Sequence, residues 1–314
     1  MAHCFRPLPH LFAYALVLLS GCRSGEAREP AHARRAHVIQ GFAFPESVRY
    51  DPDQDVYFVS NMQGPGSSKD GNGYIARVPA GDLGRIEIFI RSGRNGVALN
   101  APKGMAIQGD TLWVTDIDVL RAFHRRTGAP LGSIDLAPHK AVLLNDIATG
   151  PDGSLRVTDT GIAMTSKGVI YNGGDKIFAI APGRAVSVMA MGAALGRPNG
   201  ITWDPAEKRW IVVTFDPFRS EVYALRQGDT ARTVLGRGMG KFDGVERLAD
   251  GRLLVTSWTD SALVVFSGGK SHRMITGLWQ PADLGVDTRR NRVAIPVVLQ
   301  GRVEIWDLPR GDGK

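Results

Sequence analysis

Six polar residues recur along this 314-residue chain, each just ahead of a short apolar run: Glu46, Lys103, Asn145, Asn199, Asp243 and Asp283. They stand 40 to 57 residues apart. Glu46, Asn145, Asn199 and Asp243 offer carboxylate and amide oxygens, hard donors that suit calcium or magnesium rather than zinc. Neither an HExxH helix nor a Cys/His cluster is present for zinc chemistry. Polar groups gathered in a dry interior are costly unless partnered, and one bound divalent cation would partner them. The plainer alternative is a watery channel with ordinary polar walls. A cation with an open position polarises a carbonyl or phosphoryl oxygen, and a neighbouring carboxylate can then activate water or attack. Asp243 is the candidate for that catalytic role, provided it binds the ion through one oxygen only. Lys103 is either a salt-bridge partner of Glu46 or Asp283, or a catalytic clamp for an oxyanion or carboxylate. A divalent ion and Lys103 would balance Glu46, Asp243 and Asp283, as a buried site requires.

The surrounding pattern says what must position these residues. "PESVRYDPDQDVYFVSN" (45–61) has a polar residue, an apolar segment, a turn and a strand. The pattern returns at "PKGMAIQGDTLWVTD" (102–116), "NDIATGPDGSLRVTD" (145–159), "PNGITWDPAEKRWIVVT" (198–214), "FDGVERLADGRLLVTS" (242–257) and "ADLGVDTRRNRVAIP" (282–296). Short β-branched and aromatic runs bounded by Gly, Asp, Asn and Pro, with 38 glycines in all, read as all-β. Six units of about four strands predict a six-bladed β-propeller over residues 37–309, with 310–314 as a tail. The last unit shows three strands, at 283–287, 292–297 and 302–307, so residues 37–42 are expected to complete it and remove an open edge. The six polar residues then start the innermost strands at one end of the axis. Two long loops, 61–73 and 159–175, return to that end and are expected to wall a pocket. Asp283, Asn61, Asp116 and Asp159 are candidates to line it, the latter two being alternatively strand-ending turn residues.

The glutamate after the first proline, "ND" in the third unit, "PNG" in the fourth and "DG" in the fifth resemble the calcium-binding set of the regucalcin/gluconolactonase-like family, related to squid-type diisopropylfluorophosphatase. The resemblance covers about residues 40–308. It implies a six-bladed propeller with one axial metal held by Glu46, Asn145, Asn199 and Asp243. It also implies hydrolysis of lactones or related esters, sometimes of phosphotriesters. Sugar-lactone members carry an arginine two residues before the third-unit asparagine. Leu143 stands there in this chain, which points away from sugar acids and toward a more apolar acyl portion. The competing class is a non-catalytic envelope propeller that binds a ligand or protein, with a structural ion.

The N-terminus reads as an address. "LFAYALVLL" (11–19) is too short to span a bilayer and fits the apolar region of a signal peptide over residues 1–21. "LSGC" resembles a bacterial lipobox, which makes Cys22 the expected lipidation site, with Arg23 favouring the outer membrane. Residues 22–36 read as a flexible tether. The expectation is an exported protein, lipid-anchored in the bacterial envelope and facing the periplasm. Its contact with the membrane would run through the lipid anchor alone. The only other cysteine is Cys4, so the mature domain has neither a disulfide nor a thiol nucleophile. The net charge of +7 comes from scattered arginines rather than a basic block, and no nucleic acid partner is expected. "GRGMGKFDG" (236–244) lacks the strand–loop–helix context of a phosphate loop, and no GxSxG elbow is present.

Overall fold

A computed structural model describes Met1 and residues 32–165 and 168–309. The expected signal peptide, Cys22, most of the tether and the 310–314 tail lie outside the described residues. Six four-stranded antiparallel sheets follow one another along the chain. They are the blades of a six-bladed β-propeller. Their innermost strands are Pro45–Asp51, Pro102–Gln108, Leu144–Thr149, Pro198–Asp204, Phe242–Arg247 and Gly285–Asp287.

The second strands, such as Val56–Asn61, Leu155–Asp159 and Leu253–Ser257, are buried at every residue. They are sandwiched between neighbouring blades, so apolar residues follow one another instead of alternating. The outer strands are more exposed: Lys270–Thr276 is exposed at five of its seven residues and Glu87–Arg91 at two of its five. The hydrophobic core is divided into six main clusters, one at each junction between blades. A single blade cannot cover its own faces, which is why the units come as a closed ring.

The ring closes with the N-terminal strand Arg34–Gln40, the outermost strand of the last blade, paired with Arg302–Asp307. This differs from the expected 37–42. The last three residues of the expected tether belong to the sheet. Arg34 forms an ion pair with Asp307, and the Arg35 guanidinium lies 5.8 Å from the Trp306 ring, so their polarity suits an outer edge rather than a free linker. The 159–175 segment is also more ordered than a loop. It folds into a hairpin of Ile162–Thr165 and Gly168–Tyr171, separate from the blades. Among the described residues no helix is long and apolar enough to cross a membrane.

All innermost strands begin at the same end of the axis, which is called the site end below. The turns at the opposite end repeat one device. Asp51, Asp204 and Asp287 finish innermost strands and accept backbone N–H bonds from residues two and three further on. These Asx turns explain the "DPDQ", "DPAE" and "DTRR" stretches.

Candidate metal centre

At the site end the innermost strands do not pair evenly with their neighbours. Register breaks fall between Pro45 and Ser47, Pro102 and Met105, Leu144 and Ile147, Pro198 and Ile201, and Phe242 and Val245. Bulges of this kind re-aim side chains. Each break contains one candidate: Glu46, Lys103, Asn145, Asn199 and Asp243. The blades crowd closest there. A Cβ on Gly200 would lie 2.6 Å from the Asp243 carbonyl oxygen, and one on Gly244 would lie 2.7 Å from the Asp283 Cα. Only glycine fits after Asn199 and Asp243, which accounts for "NG" and "DG".

Hydroxyls on the second strands fix the bulged backbone. Thr115 Oγ1 donates to the Asn145 carbonyl at 2.6 Å, and Thr158 Oγ1 donates to the Asn199 carbonyl at 2.6 Å. Thr158 Oγ1 also accepts from the Asp146 amide, and Thr256 Oγ1 from the Gly244 amide. One blade thus holds the site residue of the next. Asp283 is placed differently, ahead of its strand. Its Oδ2 accepts from Ser47 Oγ at 2.6 Å, and its amide donates to the Glu46 carbonyl at 2.9 Å.

Glu46, Asn145, Asn199, Asp243 and Asp283 are all buried. Among the described residues, Glu46 Oε2, the Oδ1 atoms of Asn145 and Asn199, Asp243 Oδ1 and Asp283 Oδ1 each lack a hydrogen-bond partner. Unpaired buried acceptors are rare in folded proteins, and five at the mouths of successive blades need an explanation. Burial pushes the Glu46 carboxyl well above the usual range, with Asp243 adding to the shift and Lys103 opposing it. Asp243 and Asp146 are also raised well above it, first by burial and then by Asp283. Asp283 is pushed up to about 6 by burial, against the opposing pull of Arg49. Four buried carboxylates therefore face the Lys103 ammonium and the Arg49 guanidinium, and half-buried Glu246 shares Arg49. The axis is short of at least two positive charges. The oxygen donors and the charge deficit both fit a hard divalent cation. Among the described residues no three His, Cys, Asp or Glu side chains are clustered to hold a metal by themselves. A cation held here would therefore draw on the two asparagine amides as well.

Lys103 does not make the expected salt bridge. Its Nζ donates to the carbonyls of Gly66 at 2.7 Å and Ala101 at 3.1 Å, while Glu46, Asp116 and Asp243 act on it from farther away. Burial lowers its pKa, and the carboxylates oppose that. The lysine ties the 61–73 loop down near the axis. A Cβ on Gly66 would sit 3.1 Å from the sulfurs of both Met62 and Met164 and 3.4 Å from Lys103 Cε. The Met164 amide donates to Ser67 Oγ at 2.7 Å, so the loop and the 162–171 hairpin meet.

Asn61, Asp116 and Asp159 do not line a pocket. All three are fully buried and clamp the backbone entering their own innermost strand. Asn61 accepts from the Ala43 amide, Asp116 from Asn100 and Ala101, and Asp159 from Val142 and Leu143. A carboxylate that ends a buried strand meets free amides at the chain crossing, and accepting them satisfies both sides. The sequence reasoning also missed residues deeper in the channel. Asp146, the second member of "ND", accepts the Ile201 amide at 2.8 Å. Arg49 donates to the Met105 carbonyl and pairs with Glu246. The period-two alternation from the bulge to Arg49 was the available signal.

Leu143, Ile162 and Phe215, with Met164 and Trp258 packed on them, form an apolar wall at the site end. The Trp258 indole N–H faces Asp243 and pulls its carboxyl down, against the larger upward push of burial and Asp283. A cavity of about 470 Å³ opens instead at the opposite end, lined by Arg49, Tyr50, Arg125, Thr202, Trp203 and Glu246. The Arg49–Glu246–Asp283 cluster stands between it and the donor set.

The family model of the SMP-30/gluconolactonase/LRE-like region matches residues 44–277. Comparison with curated protein sequences finds no match. Among solved structures, a gluconolactonase from Xanthomonas campestris shares 15% identity at a TM-score of 0.65, covering 90% of this chain and 96% of that one. A luciferin-regenerating enzyme shares 11% at 0.66, covering 88% and 94%. Regucalcin from Agrobacterium tumefaciens, described as a calcium-binding protein, shares 14% at 0.61, covering 91% and 96%. At these identities the neighbours establish the propeller, and the family match covers most of its blades: the chain belongs to the SMP-30/gluconolactonase/LRE-like family.

Proposed function

We propose that the protein is a metal-dependent hydrolase of a lactone or related ester with an apolar acyl portion. The observation that carries this reading is the set of unpartnered buried oxygens on Glu46, Asn145, Asn199 and Asp243 at equivalent bulges of four blades. These residues would hold a calcium ion, which when bound supplies a Lewis acid for the scissile carbonyl. Asp243 is the base or nucleophile. Its second oxygen is the one left for a proton or an acyl carbon, and Trp258 beside it keeps bulk water away. Lys103 commits two N–H groups to backbone carbonyls, and its remaining one is available to a developing oxyanion. The wall of Leu143, Ile162, Met164 and Phe215 has no donor set for sugar hydroxyls and suits an alkyl or aryl group. The family membership and the gluconolactonase neighbour support the reaction class. An address in the bacterial envelope, through lipid on Cys22, is part of the same proposal and rests on the sequence alone.

The test is calorimetric titration of calcium into chelated protein, followed by a panel of lactones and aryl esters with and without the ion. Calcium should bind to the wild type and not to Glu46→Gln or Asp243→Asn, and turnover should need both the ion and Asp243. Turnover that survives chelation and Asp243→Ala would refute this mechanism. A second reading has its own support: the donors are buried beneath a loop and a hairpin that touch, as around a purely structural ion. Calcium binding with no turnover of any substrate would favour it.

A further inference from the structure

The exposed apolar side chains are not spread evenly over the molecule. Among the described residues after Met1, every large hydrophobic exposed by more than half lies at the site end. Val169 and Ile170 are on the hairpin, and Met191 ends the third blade. Phe218, at 95% exposed, and Leu299 are on loops that follow second strands. Met239 and Trp279, at 71% and 61%, precede the fifth and sixth blades. The other exposed hydrophobics, apart from Phe44 and Tyr171 at this same end, are exposed by 43% or less and belong to the outer strands and their approach. A monomer in water has no use for such a one-sided crown.

Basic side chains are interleaved with it. Among the described residues, Arg94, Lys140, Arg219 and Lys241 stand at this end without an ion pair, and Arg197 stacks on Tyr171 at 4.5 Å. Against them are Asp70, Asp135 and Asp216, which accept only backbone amides. The remaining acids here, Asp118 and Asp260, have basic partners. The centre of a protein–protein interface is depleted in charge. Apolar tips set among unpaired cations are instead what a phosphate-bearing lipid surface accepts, with the tips below the headgroups and the cations among them.

We infer that the site end is a docking surface for an anionic lipid bilayer. The crown surrounds the apolar wall of the candidate centre, so a docked molecule opens its site toward the membrane, where apolar esters partition. The docking inference does not depend on hydrolysis and is read without it. The strand Arg34–Gln40 starts at the opposite end, so a lipid on Cys22 could hold the protein to a membrane without immersing the crown. Immersion, rather than co-sedimentation, is therefore the quantity to measure.

The experiment uses the full-length chain and vesicles of phosphatidylglycerol brominated in the acyl chains, with tryptophan fluorescence as the readout. Trp279 emission should shift to the blue and be quenched, and Trp279→Phe should remove most of the quenching. The double variant Phe218→Ser/Met239→Ser should weaken the quenched state about tenfold, as should replacing phosphatidylglycerol with phosphatidylcholine. Both substitutions are at exposed positions, and an unchanged thermal melt would confirm intact blades. Quenching that is equal in wild type and Trp279→Phe would overturn the inference. So would shielding of Trp279 that follows protein concentration in the absence of lipid, which would mean that the crown binds a second copy or another protein. Loss of turnover with quenching intact would count against the hydrolase reading alone.

Discussion

Thr158 shows how little of the candidate centre is made by its donors alone. Its hydroxyl donates to the Asn199 carbonyl and accepts the Asp146 amide, joining the third blade to the fourth at two site residues. Thr158→Val keeps the shape and leaves both backbone groups unpaired in a buried place. It should lower stability by about 1–3 kcal/mol and weaken calcium binding, because the Asn199 bulge loses its brace. Thermal melting and calorimetry check both effects, and a variant with normal stability and affinity would contradict this account. The ring of site residues was legible in the sequence because a polar residue before each apolar run repeats six times. The roles of Asn61, Asp116 and Asp159 were not. A strand-ending carboxylate can face a pocket or turn back on its own chain, and residue type does not distinguish the two. The Lys103 salt bridge failed for a related reason: the Gly66 carbonyl that it takes instead belongs to a loop whose path is not encoded locally.

The same limit holds for whole elements. The need for a closing strand was legible from a three-stranded last unit, but its start was not, since "ARRA" looks like linker until Asp307 and Trp306 lie beside it. That strand contributes Ile39, buried against Ala294, Val303 and Ile305 of its own blade and Val48 and Tyr50 of the first. Ile39→Ala should cost about 2–5 kcal/mol, the range for a large-to-small change in a packed core. Chemical denaturation should then show one cooperative transition at a lower midpoint. A separate early transition would mean that the closing strand unfolds independently of the ring. The loop at 62–73 is held at several points, among them Lys103 on Gly66, Ser67 on the Met164 amide, Lys69 on Asp118 and the Leu99 carbonyl on Gly73. Lys103→Met removes the first while preserving bulk. It should raise proteolytic cleavage within 62–73, and protection equal to wild type would show that the loop does not depend on the lysine.

At the scale of the molecule, the first and last units meet at a seam that the chain crosses only at the closing strand, which belongs to the last blade and runs on into the first. Here the seam carries a polar latch at the end opposite the candidate centre. Arg290 of the last blade donates to Asp55 of the first through both terminal nitrogens at 2.7 Å, and also to Asp287 at 3.0 Å. Tyr57 of the first blade donates to Asp287 at 2.7 Å, and Tyr50 to Asp55 at 2.7 Å. The Arg290 and Tyr50 hydrogen bonds hold the Asp55 carboxyl well below the usual carboxylate range. A group whose folded pKa is depressed stabilises the fold above its unfolded value, near 3.9 for aspartate, and loses that contribution as the pH falls toward the folded value. The latch is therefore complete at neutral pH and fails in acid. Asp55→Asn should lower the melting temperature most at pH 7, and its gap from the wild type should shrink steadily below about pH 4. The side chain is partly exposed, so salt should also narrow the gap at neutral pH. A gap that stays constant on acidification would show that Asp55 acts through its shape in the turn and not through its charge across the seam.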